Sequence, residues 1–138
     1  MPTLSPFTFG TRIAAPLGVA RPLVEAALKA EGFGVLTEID VQATMKARLG
    51  FEQPPYVILG ACNPPLAHRA LEADPSVGAL LPCNVVLRED GGTTIVEAMD
   101  PLAVLGLIDN AAIRPVAEEA RARLERAIAS LEIRPPAD

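Results

Sequence analysis

Two cysteines carry the densest chemistry in this chain, and both sit in the same short pattern. Cys62 is followed by Asn63 and Pro64, and Cys83 is followed by Asn84 and preceded by Pro82. A thiolate is a nucleophile and a soft metal ligand, and a carboxamide beside it can both donate and accept hydrogen bonds. Cys62 closes an almost wholly apolar run, and Asn63 reads as the N-cap of a helix opened by Pro64 and Pro65. A helix starting there aims its free N–H groups and positive dipole end at the thiol. That arrangement lowers a thiol pKa, or holds an anion such as phosphate or a substrate carboxylate. The competing reading is a free cysteine that fills the core as a small hydrophobe, and from spacing alone it is the more economical one.

If the strands ending in Cys62 and Cys83 are neighbours, both thiols and both carboxamides converge. Such a cluster suits a redox dithiol, a soft-metal site or a small-ligand site, although the separation is far longer than a C-x-x-C. Asn84 is the harder residue to explain structurally, because Asn is disfavoured in a strand. His68, with Cys62 and Cys83, would make three zinc-type ligands and an open fourth position. The spacing fits no standard zinc motif, and a surface His beside Arg69 is the ordinary alternative. Glu38 and Asp40 share one strand face and could do acid–base work if buried together; otherwise Asp40 is a helix cap and Glu38 an exposed strand residue. No G-x-x-x-x-G-K-[ST] or G-x-G-x-x-G run is present, and no serine stands in a triad-like context.

The elements that must position these residues follow from periodicity. Residues 7–13 alternate and predict a first strand. A helix is expected over about residues 22–31, with Pro22 at its first position and Gly32 as its stop. Residues 33–39 read as a strand with Phe33, Val35, Thr37 and Ile39 facing one way. Asp40 then caps a short helix over residues 41–49. Residues 56–62 read as a central strand, and a helix after Asn63 turns Leu66, Ala67, Ala70 and Leu71 inward. Residues 82–88 and 93–99 alternate on either side of Glu89-Asp90-Gly91-Gly92, which predicts a β-hairpin. Asp100 caps a short helical restart, and a final amphipathic helix runs over about residues 115–132. Hairpin-paired strands with intervening helices predict an α+β fold, a mostly antiparallel sheet with helices on one face.

Composition narrows the functions further. The chain has 138 residues and a formal net charge of -5, with 12 Lys+Arg against 17 Asp+Glu. One domain is expected at this length, with a core over about residues 7–132 and loose ends at 1–6 and 133–138. An acidic balance argues against clamping a phosphate backbone, so no nucleic-acid partner is expected. One His excludes a multi-histidine metal site, and two Cys exclude a Cys₄ zinc site or an iron–sulfur cluster within one chain. No run reaches the roughly 18 apolar residues of a membrane span, and no secretory signal opens the chain. Two cysteines are too few for a disulfide framework, so a cytoplasmic protein with reduced thiols is expected.

Several stretches together resemble one family. They are 31–41 (Glu-Gly-Phe-Gly-Val-Leu-Thr-Glu-Ile-Asp-Val), 59–64 (Leu-Gly-Ala-Cys-Asn-Pro), 80–86 (Leu-Leu-Pro-Cys-Asn-Val-Val) and Asp100-Pro101 after the hairpin. Over about residues 22–131 the chain resembles the domain-of-unknown-function family 302. The resemblance implies a β-α-β(4)-α arrangement akin to one repeat of the TATA-binding-protein fold, in fold only. It also implies that the Glu38–Asp40 segment, Cys62-Asn63-Pro64 and Pro82-Cys83-Asn84 are family motifs, and that members are homodimers. It supplies no reaction, cofactor or catalytic role. A ligand-binding or thiol-dependent site around Cys62, Asn63, Cys83 and Asn84 therefore stands beside a non-catalytic interaction module with structural cysteines.

Overall fold

Six strands build one antiparallel sheet in the computed structural model, which describes residues 3–132. The chain runs β1 (Thr3–Ser5), β2 (Thr8–Ile13), α1 (Leu17–Ala30), β3 (Gly34–Asp40), α2 (Val41–Leu49) and β4 (Tyr56–Cys62). It continues through α3 (Pro64–Ala73), a 3-10 helix (Pro75–Leu80), β5 (Cys83–Asp90), β6 (Thr93–Met99), α4 (Pro101–Leu105) and α5 (Ile113–Glu132). The strand order is β1-β2-β6-β5-β4-β3, so β4 and β5 are central neighbours and β3 is an edge. The α+β expectation holds. Residues 3–5, expected to be loose, instead pair with β2 through Thr3 opposite Phe9 and Ser5 opposite Thr8; the expected looseness of residues 1–2 and 133–138 lies outside the described residues.

One sheet face is covered by α1 and α5. Val57, Leu59 and Ala61 of β4 and Val85 and Leu87 of β5 join Val24, Leu28, Leu124 and Ile128 of the helices in one buried cluster. A second cluster sits among α3, the 3-10 helix, α4 and the first half of α5, around Leu66, Val77, Leu105 and Val116. The other sheet face carries the alternate residues, among them Ile58, Val86 and Arg88, and no helix of the main core packs there. Among the described residues, no helix is long and apolar enough to cross a membrane.

Local signals explain most element ends. Asp40, Asn63 and Asp100 each accept a backbone N–H at a helix start, from Ala43, Leu66 and Leu102 respectively. The hairpin turns on Gly91 and Gly92, whose φ values of 59° and 81° are the positive pair that a two-residue hairpin loop requires. Gly32, at φ 86°, ends α1: its N–H reaches Lys29 O, and the next N–H, of Phe33, reaches back to Leu28 O.

Two local expectations are corrected. Helix α1 begins at Leu17, so Pro22 lies inside it rather than at its start. The buried stripe Leu17, Ala20, Val24, Leu28 extends the helix backward, and the Leu17 N–H is satisfied by a Glu89 carboxylate oxygen at 2.7 Å, from β5. In β3 the register shifts between Val35 and Thr37. A bulge there spends Leu36 outside the pairing, so the strand's faces exchange. Val35 stays with the core, whereas Thr37 and Ile39 pair with Gly60 and Ile58.

Candidate functional site

The cavity that matters lies where the two buried clusters meet, at the end of β4 and the start of β5. It has a volume of about 290 Å³ and is lined by Cys62, Cys83, Asn63 and apolar side chains of α3, the 3-10 helix and α5. Strand pairing places the thiols together. Ala61 stands opposite Cys83 in the β4–β5 ladder, so Cys62 is one residue out of register from Cys83. Cys62 is half-buried and Cys83 buried, and both are free thiols. Burial pushes the Cys83 thiol up to about 11, and the neighbouring Cys62 adds to the shift. A desolvated thiol with no cationic neighbour stays protonated.

The helix N-terminus beyond Cys62 does not offer an anion site. Pro64 and Pro65 have no N–H. The Leu66 N–H goes to Asn63 Oδ1 at 3.4 Å, and the Ala67 N–H to Asn63 O at 2.9 Å. Every first-turn donor is therefore accounted for, and no Lys or Arg lines the cavity. The anion reading of this region falls on that count. Asn63 is a structural clasp as well as a cap. Its Nδ2 donates to Glu31 O at 3.5 Å and closes on Gly32, where an added Cβ would stand 2.9 Å from that nitrogen. Arg123 also donates to Glu31 O, at 3.3 Å, so the end of α1 is tied to both α3 and α5.

The remaining candidates stand apart from the cavity. Asn84 pairs with Gly60 and is exposed on the open sheet face, where a polar side chain carries no burial cost. Glu38 is bound by Arg21 of α1, whose guanidinium holds its carboxyl below the ordinary range. Asp40 caps α2 at 2.9 Å from Ala43 N. His68 is exposed and pairs with Glu72 at 2.8 Å, one helical turn on. Among the described residues, no group of three or more His, Cys, Asp or Glu side chains is placed to hold a metal ion, so the three-ligand set of Cys62, Cys83 and His68 does not assemble.

Other lining residues carried no chemical signal in the sequence. Leu36 reaches the cavity because the β3 bulge releases it from the ladder. Pro82 reaches it across Gly60: an added Cβ on that glycine would stand 2.2 Å from Thr37 Oγ1 and 2.8 Å from Pro82 Cγ. Space is left because Ala67, Gly78 and Ala120 are small where helices face one another. The two cysteine motifs mark this place in the sequence through Cys62, Asn63 and Cys83, whereas its apolar wall has no such marker.

Comparison with known proteins agrees with this architecture. The family model described as "Domain of unknown function DUF302" matches residues 11–131. The chain is similar to a solved structure, "Crystal structure of uncharacterized conserved protein DUF302 from Bacillus stearothermophilus", at 30% identity and a TM-score of 0.82, covering 89% of this chain and 96% of that one. The comparison with curated proteins found no match. A family match over most of the length, together with a common fold at this identity, makes the chain a member of the DUF302 family.

Proposed function

We propose that this protein binds a small, uncharged, mainly apolar molecule in the cavity bordered by Cys62 and Cys83. One observation carries the reading: the cysteines of two separate motifs line the same apolar cavity. Its volume, about 290 Å³, is at the small end of the range for small-molecule sites. With no charged side chain on the lining, an ionic ligand would lose hydration without compensation. Cys62 is the thiol such a ligand meets first, because Cys83 is the more deeply buried. Free thiols fit a reducing compartment such as the cytoplasm.

The test is a titration with aminoanthracene, an uncharged fluorophore of suitable size, followed by emission and by amide NMR shifts. Saturable binding with shifts at Leu66, Ala67 and Cys83 is the expected result. Absence of saturable binding, or shifts confined to the open sheet face, would overturn the reading.

A second reading, a module that pairs two copies, has its own observation. On β3, whose outer edge is unpaired in the sheet, Leu36 is more than half exposed and Ile39 is half exposed. Exposed edges invite strand pairing. Sedimentation of the wild type and of Ile39→Lys tests it: a dimer that the substitution dissociates supports the reading, and a monomeric wild type ends it.

A further inference from the structure

The two thiols share more than a cavity wall. Residues directly opposed in an antiparallel ladder have Cα atoms about 4.5–5.5 Å apart, and one residue along the strand adds about 3.4 Å. Cys62, one residue out of register from Cys83, is therefore about 6 Å away at Cα, inside the range of about 4.4–6.8 Å that a disulfide spans. A flat pleat would send the two side chains to opposite faces. Cys62 is the last residue of β4, where the chain leaves the sheet for α3, and both residues line the same cavity.

We propose that Cys62 and Cys83 are a reversible redox pair, oxidised by a hydroperoxide to a disulfide that narrows the ligand cavity. The narrowing rests on the ligand-binding reading above; the cross-link does not. Cys62 is the entry point, being the partly exposed thiol. Its thiolate attacks one peroxide oxygen: an S–O bond forms, the O–O bond breaks, and the leaving oxygen departs as hydroxide and takes up the proton Cys62 released. Cys83 then attacks the Cys62 sulfur. The S–S bond forms, the S–O bond breaks, and the departing hydroxyl collects the Cys83 proton as water. Two thiols lose two electrons, and hydrogen peroxide becomes two waters.

The surroundings favour this product over a metal thiolate. A disulfide is uncharged, and the lining holds no cationic side chain to offset a pair of thiolates. Burial that keeps the Cys83 thiol protonated works against dithiolate ligation for the same reason, and it also keeps Cys83 from being over-oxidised directly.

The experiment treats the reduced protein with hydrogen peroxide, unfolds it, alkylates remaining thiols and maps peptides by mass. The expected result is a protein lighter by two hydrogens, with no alkylation and a Cys62–Cys83 peptide, restored by dithiothreitol. In Cys83→Ser the same treatment leaves a sulfenic acid on Cys62 that dimedone traps. Oxygen added to Cys62 in the wild type without a cross-link, or a disulfide only between molecules, overturns the proposal. Aminoanthracene affinity is read on the same samples and is expected to fall at least about tenfold on oxidation, as the bridging sulfurs take up cavity space. Unchanged affinity with the cross-link present overturns the narrowing. Failure of the reduced protein to bind the dye overturns the ligand reading alone, since the cross-link is judged by mass.

Discussion

Cys83 stands directly opposite Ala61 and diagonally beside Cys62, with one thiol buried and the other partly open to solvent. This asymmetry gives two chemically similar residues different work. The buried thiol is held neutral, and the outer one meets whatever enters.

Stability is expected to fall at alkaline pH because of Cys83. An ordinary thiol titrates near 9, and burial raises this one to about 11. Below the lower value both folded and unfolded chains keep the proton, so the group adds no pH dependence. Between the two values the unfolded chain releases a proton that the folded chain retains, and unfolding is favoured as pH rises. A shift of this size corresponds to on the order of 3 kcal/mol. Urea unfolding across this range checks it: Cys83→Ala should flatten the alkaline limb, and Cys62→Ala should retain most of it.

Filling the cavity should separate binding from stability. Ala67 is half-buried on the cavity wall, so Ala67→Phe is expected to place its ring in existing space. Aminoanthracene affinity should drop more than about tenfold, with a stability change under about 1.5 kcal/mol. Leu66→Ala is the opposite perturbation. Leu66 is buried in the second cluster, and its loss should destabilise by about 2–5 kcal/mol. Calorimetry and dye titration on both variants read the two effects independently.

Gly60 should tolerate no side chain. The clash of an added Cβ with Thr37 Oγ1 at 2.2 Å predicts that Gly60→Ala destabilises by about 1–3 kcal/mol. Adding Thr37→Ala removes that oxygen and should recover part of the loss, leaving the contact with Pro82. A double-mutant cycle measured by denaturant unfolding gives the coupling.

The start of α1 should depend on a residue far along the chain. Glu89 accepts the Leu17 N–H at 2.7 Å, so Glu89→Ala is expected to cost about 1–2 kcal/mol and to speed amide exchange in the first turn of α1. Glu89→Gln keeps an acceptor oxygen and should retain most of the protection. Equal loss in both variants would mean that charge, rather than the hydrogen bond, closes the helix.

Features under local chemical control are legible in the residues alone. Asp40, Asn63 and Asp100 announce helix starts because a short polar side chain bonds to a backbone N–H two or three residues on. Gly91 and Gly92 announce the hairpin because their backbone tolerates positive φ. A nearly continuous apolar run placed Tyr56–Cys62 as a central strand, and the family stretches agree with the DUF302 assignment. Tertiary structure decided everything that depends on register. The β3 bulge at Leu36 exchanges the faces of that strand, and nothing local to Leu36 marks it, because a bulge is defined against the partner strand. The β4–β5 pairing leaves Asn84 exposed and brings Cys83 beside Cys62. Two residues 21 positions apart meet only when strand order and register are set, and those are fixed by burial summed over the whole sheet. The cavity between them is the space that facing small side chains leave, a property of packed helices that no single residue carries.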